Sequence, residues 1–321
     1  MSQNQSFAGR PDISHWDFPE DAPFVATYLN LVGELESRFQ AIVEGKFSPP
    51  EFDRLVVKVC AAFDAQPWGL FRIFLDGRDY IPSVATSSFN IALVLSLVAT
   101  AHQWDQEKKT QLVRSALLHD VGMLFLPEAV TAKEGRLTES ERTILESHPS
   151  LSHEKLRRWG EPYESTLVAL QHHEEWNGKG YPSGLKQDAI DPVARLVSVA
   201  VNFVARATQR RYRNSLVGYE AMKLLIKDQG TRFDPQAVKD FIRPLGLNPP
   251  GSIILLSDGS IARVMDQSLE NLLRPRVRIL IDSFGNAYRD DRGALVELVN
   301  SPKIYIARPV NFQDLLEARE H

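Results

Sequence analysis

From Phe24 to about Leu245 the apolar residues of this chain recur at intervals of three and four, with no convincing two-residue alternation. A sequence with that rhythm must bury helix faces against one another, so the bulk of the fold is expected to be packed helices. Leu29, Val32, Leu35, Phe39 and Ile42 share one face of a helix predicted to end near Gly45. "SPPEFDRLVVKVCAAF" predicts a second helix, with prolines in its first turn and Glu51 and Asp53 near its positive end. Together with 66–75 these segments predict an N-terminal helical subdomain, preceded over 1–23 by a polar arm containing Pro11, Pro19 and Pro23. Further helices are predicted at 88–102, 107–119, 138–147, 150–159, 163–173, 192–208, 217–228 and 234–244. In "LTESE", Thr138 and Glu141 have the spacing of a capping box.

After "LGLNPPGS" the rhythm changes to that of strands. "SIILLSDGSIARVMDQ" predicts a hairpin turning at Asp258 and Gly259, "RPRVRILIDSFGN" a third strand, and "SPKIYIARPV" a fourth. The expected organisation is an arm and helical subdomain over 1–79, a helical domain over 80–248 and a small β-rich appendage over 249–321.

Composition excludes several function classes. A net charge of -4 gives no bulk attraction to nucleic acid or to an acidic membrane surface. Cys60 is the single cysteine, so neither an intrachain disulfide nor a thiolate metal cluster is expected, and its apolar run marks it as a buried hydrophobe. "MSQNQS" lacks the features of a secretory signal, and the run "IALVLSLVATA" is too short to span a bilayer. A cytoplasmic location with no membrane partner is therefore the expectation.

Chemistry concentrates in the histidines. His119 and Asp120 close the apolar helix "LVRSALLHDVG", and Gly122 lets the backbone turn closely behind them. His148 and His153 bracket one helix start, and His172 and His173 close another. On a helix, adjacent side chains point about 100° apart, so His172 and His173 would flank a cavity rather than form a same-face pair. Imidazoles with a bridging Asp120 suit iron, manganese, nickel or zinc. Residue chemistry thus favours a metal site, with buried, hydrogen-bonded histidines as the alternative account of the same residues. His15, His102 and His321 are expected to face solvent, and Trp68, Trp159 and Trp176 to be packing residues, Trp176 with the option of walling a pocket. In "GTRFDP", Asp234 is expected to cap the last long helix, with Pro235 at its first position.

"LLHDVG", "GRLTESERTILESHP", "LVALQHHEEWNGKGYPSGL", "ARLVSVA" and "GTRFDPQAV" together resemble the HD-GYP family, a bacterial branch of the HD phosphohydrolases whose active members hydrolyse cyclic di-GMP. The resemblance implies an HD-type helical bundle and a metal centre of iron or manganese held by His119, Asp120, His148, His172 and His173. It also implies attack of a metal-activated water on a phosphodiester, with Asp120 as the bridging catalytic carboxylate. Against the family pattern, Ser87 stands where a ligating histidine is expected, Val201 replaces a ligating aspartate and Val204 the acid after it. Met123 replaces a lysine expected near the scissile phosphate. Serine is a poor metal ligand and valine none, so a weakened site is expected, holding one ion or none. The ligand-binding positions implied are Lys179, Tyr181, Arg210 and Arg213, and Arg211 adds a charge where the family has proline. Anion grips kept beside lost metal ligands favour a degenerate member with little or no hydrolysis, binding cyclic di-GMP, a related dinucleotide or a protein partner. A divergent phosphodiesterase using fewer metals is the alternative, supported by the five intact ligands, and a bare interaction scaffold is the third reading. A homodimer remains open.

Overall fold

The computed structural model describes residues 23–76, 83–208, 216–267, 271, 273–288 and 292–310. Three helices, α1 (Pro23–Val43), α2 (Pro49–Ala65) and α3 (Pro67–Asp76), precede the long helix α4 (Val84–Ala101). Every residue of α4 from Ala85 to Ala99 except Ser87 is buried, which its nearly uniform apolar surface requires. Its length and apolar composition would also suit a membrane crossing, but it is the central helix of the core, with α1, α3, α5 (Gln106–Leu118), α10 (Pro192–Thr208) and α12 (Pro235–Leu245) packed around it. Between α5 and α10 come α6 (Glu128–Thr131), α7 (Glu139–Leu145), α8 (His148–Arg158) and α9 (Tyr163–Gln171), and α11 (Leu216–Asp228) precedes α12.

The side chains of α1 to α3 join one continuous apolar cluster with those of α4, α5, α9, α10 and α12, in which Phe52, Phe63, Phe71, Phe74, Phe89 and Phe203 are fully buried. An ionic clamp reinforces that union. Arg114 on α5 holds Glu161 through two hydrogen bonds of 2.6 and 2.7 Å and also pairs with Asp53 on α2.

The sequence's turn and cap signals account for the element ends. Prolines open α2, Gly45 at φ 75° closes the chain after α1, and Thr138 with Glu141 forms the reciprocal capping box of α7. Asp234 caps α12 through the Gln236 N–H at 2.8 Å. The short α6 was not anticipated, because four residues are too few to display a helical period. His102 departs from expectation too. It is half-buried and its Nε2 bonds the Asp240 carbonyl oxygen at 2.9 Å, tying the end of α4 to α12.

The C-terminal segment is an antiparallel sheet of β1 (Ile253–Leu256), β2 (Ile261–Asp266), β3 (Arg276–Ile281), β4 (Leu295–Glu297) and β5 (Ile306–Pro309), in the order β4-β3-β2-β1-β5. Gly259, at φ 90°, makes the predicted hairpin turn between β1 and β2. Apolar side chains form two separate clusters on this sheet, one around Ile254, Val264 and Val277 and the other around Ile253, Ile261 and Ile281. Strand β4, three residues long, was likewise below the length at which alternation is visible.

Candidate metal centre

Three helix ends converge to build the site. His119 is the C-terminal cap of α5 and Asp120 opens the 3₁₀ turn Val121–Phe125. His148 is the first residue of α8, and His172 and His173 follow α9. Helix ends are where backbone groups lack intrahelical partners, and here the imidazoles use them. The Nδ1 of His119, His148 and His172 lies 2.7, 2.7 and 2.9 Å from the carbonyl oxygens of Ala116, Leu145 and Ala169, each three residues upstream. A carbonyl can only accept, so each Nδ1 carries a proton, and Nε2 is the nitrogen left to each ring for a ligand.

Those Nε2 atoms face one another and a carboxylate. His148 Nε2 is 3.1 Å from Asp120 Oδ1 and 3.3 Å from His172 Nε2, which is itself 3.5 Å from the same carboxylate oxygen. His119 Nε2 stands 3.5 Å from Asp120 Oδ2. Acceptors packed against acceptors in a buried site repel unless a positive charge lies among them. One proton on His148 relieves part of this: burial opposes its charge, but Asp120 outweighs burial and raises its pKa. His119 Nε2 nevertheless has no hydrogen-bond partner, and without the His148 proton neither does Asp120 Oδ1; both atoms are shielded from solvent. Burial pushes His119 down to about 4 and His173 well below the ordinary imidazole range, so both are neutral donors. Burial would raise Asp120, but His119 and His148 beside it hold the carboxyl well below the usual range, leaving an anion. Neutral imidazoles and one carboxylate are the donor set of a borderline divalent cation.

Two sets of three donors have ligand atoms within 4.8 Å of one another, His119 with Asp120 and His172, and His148 with His172 and His173. They share His172, whose one free lone pair serves a single ion, so a second ion would be held by fewer donors. The structure thereby corrects the expectation that His172 and His173 diverge by a helical step. The helix ends at Gln171, the two rings sit 4.2 Å apart, and both can address the ion that His148 addresses.

The glycines beside the site are required by close approach. A Cβ on Gly122 would meet the His148 carbonyl oxygen at 2.2 Å and the Ser152 nitrogen at 2.7 Å, so α8 can lie against the 3₁₀ turn only because that residue is glycine. Its φ is not in the left-handed region, so the tight turn expected of Gly122 is replaced by a packing role. Its N–H also donates to Ser152 Oγ at 2.8 Å. At Gly180 a Cβ would fall 2.2 Å from the Glu175 nitrogen.

Tyr181 stacks on His173 with ring centroids 4.8 Å apart and planes 25° from parallel, and burial raises its pKa, keeping the phenol protonated as a donor. The loop that presents it is held by a residue whose role the sequence reading missed. Glu174, buried, accepts the Ser183 and Leu185 N–H groups at 2.7 and 2.9 Å, and burial raises its pKa. Glu175 pairs with Arg232 at 2.8 Å, which fixes the same loop to the turn before α12. The available signal was an acid pair immediately after two histidines, outside any helix.

Among the described residues, none of the other anticipated ones belongs to either donor set. Lys179 is exposed, and its ammonium makes no ion pair among the described residues. Arg210, Arg211 and Arg213 lie outside the described residues, as do His15 and His321. Val201 is half-buried against the apolar core and Val204 is fully buried within it, Met123 is half-buried in the 3₁₀ turn, and Ser87 is half-buried in the first turn of α4. Trp159 stacks on Phe47 at 4.5 Å and Trp68 packs edge-on to Phe71, both as packing residues.

Comparison with known proteins agrees with this geometry. Residues 79–237 match a family described as an HD domain, and residues 253–318 match one described as a KOW domain associated with HD domain. A cyclic di-GMP phosphodiesterase of Pseudomonas aeruginosa is 32% identical over 213 residues, covering 65% of this chain and 49% of that protein. The cyclic di-GMP phosphodiesterase response regulator RpfG of Xanthomonas campestris is 35% identical over 162 residues, covering 49% of this chain and 43% of its own length. The chain thus spans about half the length of these relatives. Among solved structures, an HDG"Y"P protein from Bdellovibrio bacteriovorus shares the fold, with a TM-score of 0.56 at 18% identity, over 71% of this chain and 74% of that one.

Proposed function

Since this chain is built around an HD domain of the HD-GYP type, we propose that it is a metal-dependent phosphodiesterase acting on a cyclic dinucleotide such as cyclic di-GMP, and working with fewer ions than a full ligand set would hold. The observation that carries this reading is the convergence of three Nδ1-tethered imidazoles on Asp120, with His119 Nε2 left without a partner. Such an arrangement is costly without a cation and ordinary with one.

His119, Asp120, His148, His172 and His173 would hold the ion; the imidazole-carboxylate set suits iron, manganese, nickel or zinc, and the resemblance to the HD-GYP family selects iron or manganese. When bound, a cation of this kind lowers the pKa of water and offsets charge on phosphoryl oxygens. The remaining functions fall to the protein. The carbonyl tethers fix each imidazole in the ligating tautomer, and the carboxylate of Asp120 holds its charge among them. Tyr181, on the outer face of His173, offers a hydroxyl to a phosphate oxygen and a ring to a base.

The names of the relatives favour hydrolysis over the degenerate role expected from the sequence. A regulatory reading, in which the dinucleotide is bound and not cleaved, keeps one specific support: the aliphatic Val201 and Val204 sit in the core where donors are expected. The test combines elemental analysis of protein purified without chelator with assay of cyclic di-GMP conversion to linear product. About one iron or manganese per chain and metal-dependent turnover are expected. Asp120→Asn should lower both, turnover by at least about 100-fold, the scale of losing one charged catalytic group. Tight cyclic di-GMP binding with no linear product, at full metal loading, would establish the regulatory reading instead.

A further inference from the structure

On the side of the Tyr181 loop formed by Trp176 there is an open groove of about 460 Å³, walled by Trp104 and Trp176 and edged by Asp188, Asp234 and Asp240. It shares none of its lining residues with the histidine cluster. Its Trp176 half already displays a cation. The Arg195 guanidinium lies 5.4 Å from the Trp176 ring centroid, between Asp188 at 3.2 Å and Asp234 at 2.9 Å. An indole face with carboxylates at its rim is a favourable seat for a positive charge.

The Trp104 half repeats that chemistry without the cation. Trp104 is half-buried beside α12, and Asp240 accepts one hydrogen bond from Gln236 at 2.8 Å but has no ion-pair partner among the described residues. Three carboxylates against one guanidinium leave the groove with two uncompensated negative charges. An inorganic ion does not fit this distribution, because among the described residues no three carboxylate oxygens converge within 4.8 Å here. An elongated organic cation does: one ammonium seats against Trp104 and faces Asp240, and an alkyl chain carries a second toward the carboxylates at the Trp176 end.

We propose that this groove is a second ligand site, specific for an aliphatic diamine or polyamine. The Trp176 end of the site belongs to the segment that carries Tyr181. The Trp176 N–H donates to the Arg232 carbonyl oxygen at 2.9 Å, and its own carbonyl oxygen accepts from Gln187 at 3.1 Å. A ligand against Trp176 therefore bears on the loop that Glu174 and Glu175 anchor.

Isothermal titration of the full chain with putrescine and spermidine, against 1,4-butanediol and magnesium chloride as neutral and inorganic controls, tests the assignment and requires no catalytic activity. Saturable binding of the amines alone is expected, weakened about 5- to 10-fold in both Trp104→Leu and Asp240→Asn, as loss of a cation–π contact or a facing charge predicts. Circular dichroism of the two variants checks that each is folded. Amine binding unchanged in folded variants would assign the heat to general attraction by an acidic surface and overturn the proposal, as would absence of amine binding to the wild-type chain. Failure of the phosphodiesterase assay leaves these outcomes unaffected.

Discussion

A methyl group added at Gly122 has nowhere to go, since it would fall among the His148 carbonyl oxygen, the Ser152 nitrogen and the Ser152 hydroxyl. Two of those atoms belong to the backbone of α8, so relief requires the helix carrying His148 to withdraw. Gly122→Ala should therefore cost about 1–3 kcal/mol, the range of overpacking, and should lower metal occupancy as well. Urea denaturation with elemental analysis of the folded variant reads both. A variant with full metal content and unchanged midpoint would mean that α8 yields freely. At this scale the sequence was partly legible. His119, Asp120, His148, His172 and His173 could be picked out because their types and motif are explicit, and their convergence followed. Glu174 could not, because its work is to accept two backbone N–H groups nine and eleven residues away, and nothing in local spacing reports such a partner.

Helix α7 shows how an element's end can be tuned by pH. The Lys133 ammonium and the N–H and hydroxyl of Thr138 hold the Glu141 carboxyl down to about 2, from an ordinary 4.5. A depressed folded-state pKa means the carboxylate stabilises the capped turn fully above about 4.5 and ceases to do so as pH falls through about 2. Amide hydrogen exchange across 138–145 should thus show the first turn still protected near pH 4 and opening only toward pH 2, after allowance for intrinsic exchange rates. Opening already complete at about pH 4 would contradict the anchoring. Elements like this one were readable in the sequence because caps and period agree, as were α1, α2, α10 and the β1–β2 hairpin. The boundary after α9 was not. The periodic pattern runs on through His172 and His173 while the backbone leaves the helix at Gln171, and that difference of two residues decides whether both imidazoles reach one ion.

Across the whole molecule, the continuous core and the Arg114 clamp join the N-terminal helices to the helices that carry the site. Glu161 is almost wholly buried and Arg114 nearly so, so Glu161→Ala leaves a buried guanidinium with only the largely exposed Asp53 for company. Removing one partner of such a pair costs about 3–5 kcal/mol. Because α1 to α3 share the core, the loss should appear as a single transition at lower urea, coincident by far-UV circular dichroism and tryptophan fluorescence. Two separated transitions would show that the N-terminal helices unfold on their own. The carbonyl tethers of His119, His148 and His172 have a thermodynamic consequence of their own. Their rings surrender rotational freedom when the chain folds, before any ion arrives. Capture of the ion then has little side-chain disorder left to remove, so its entropy should be dominated by the release of water and protons.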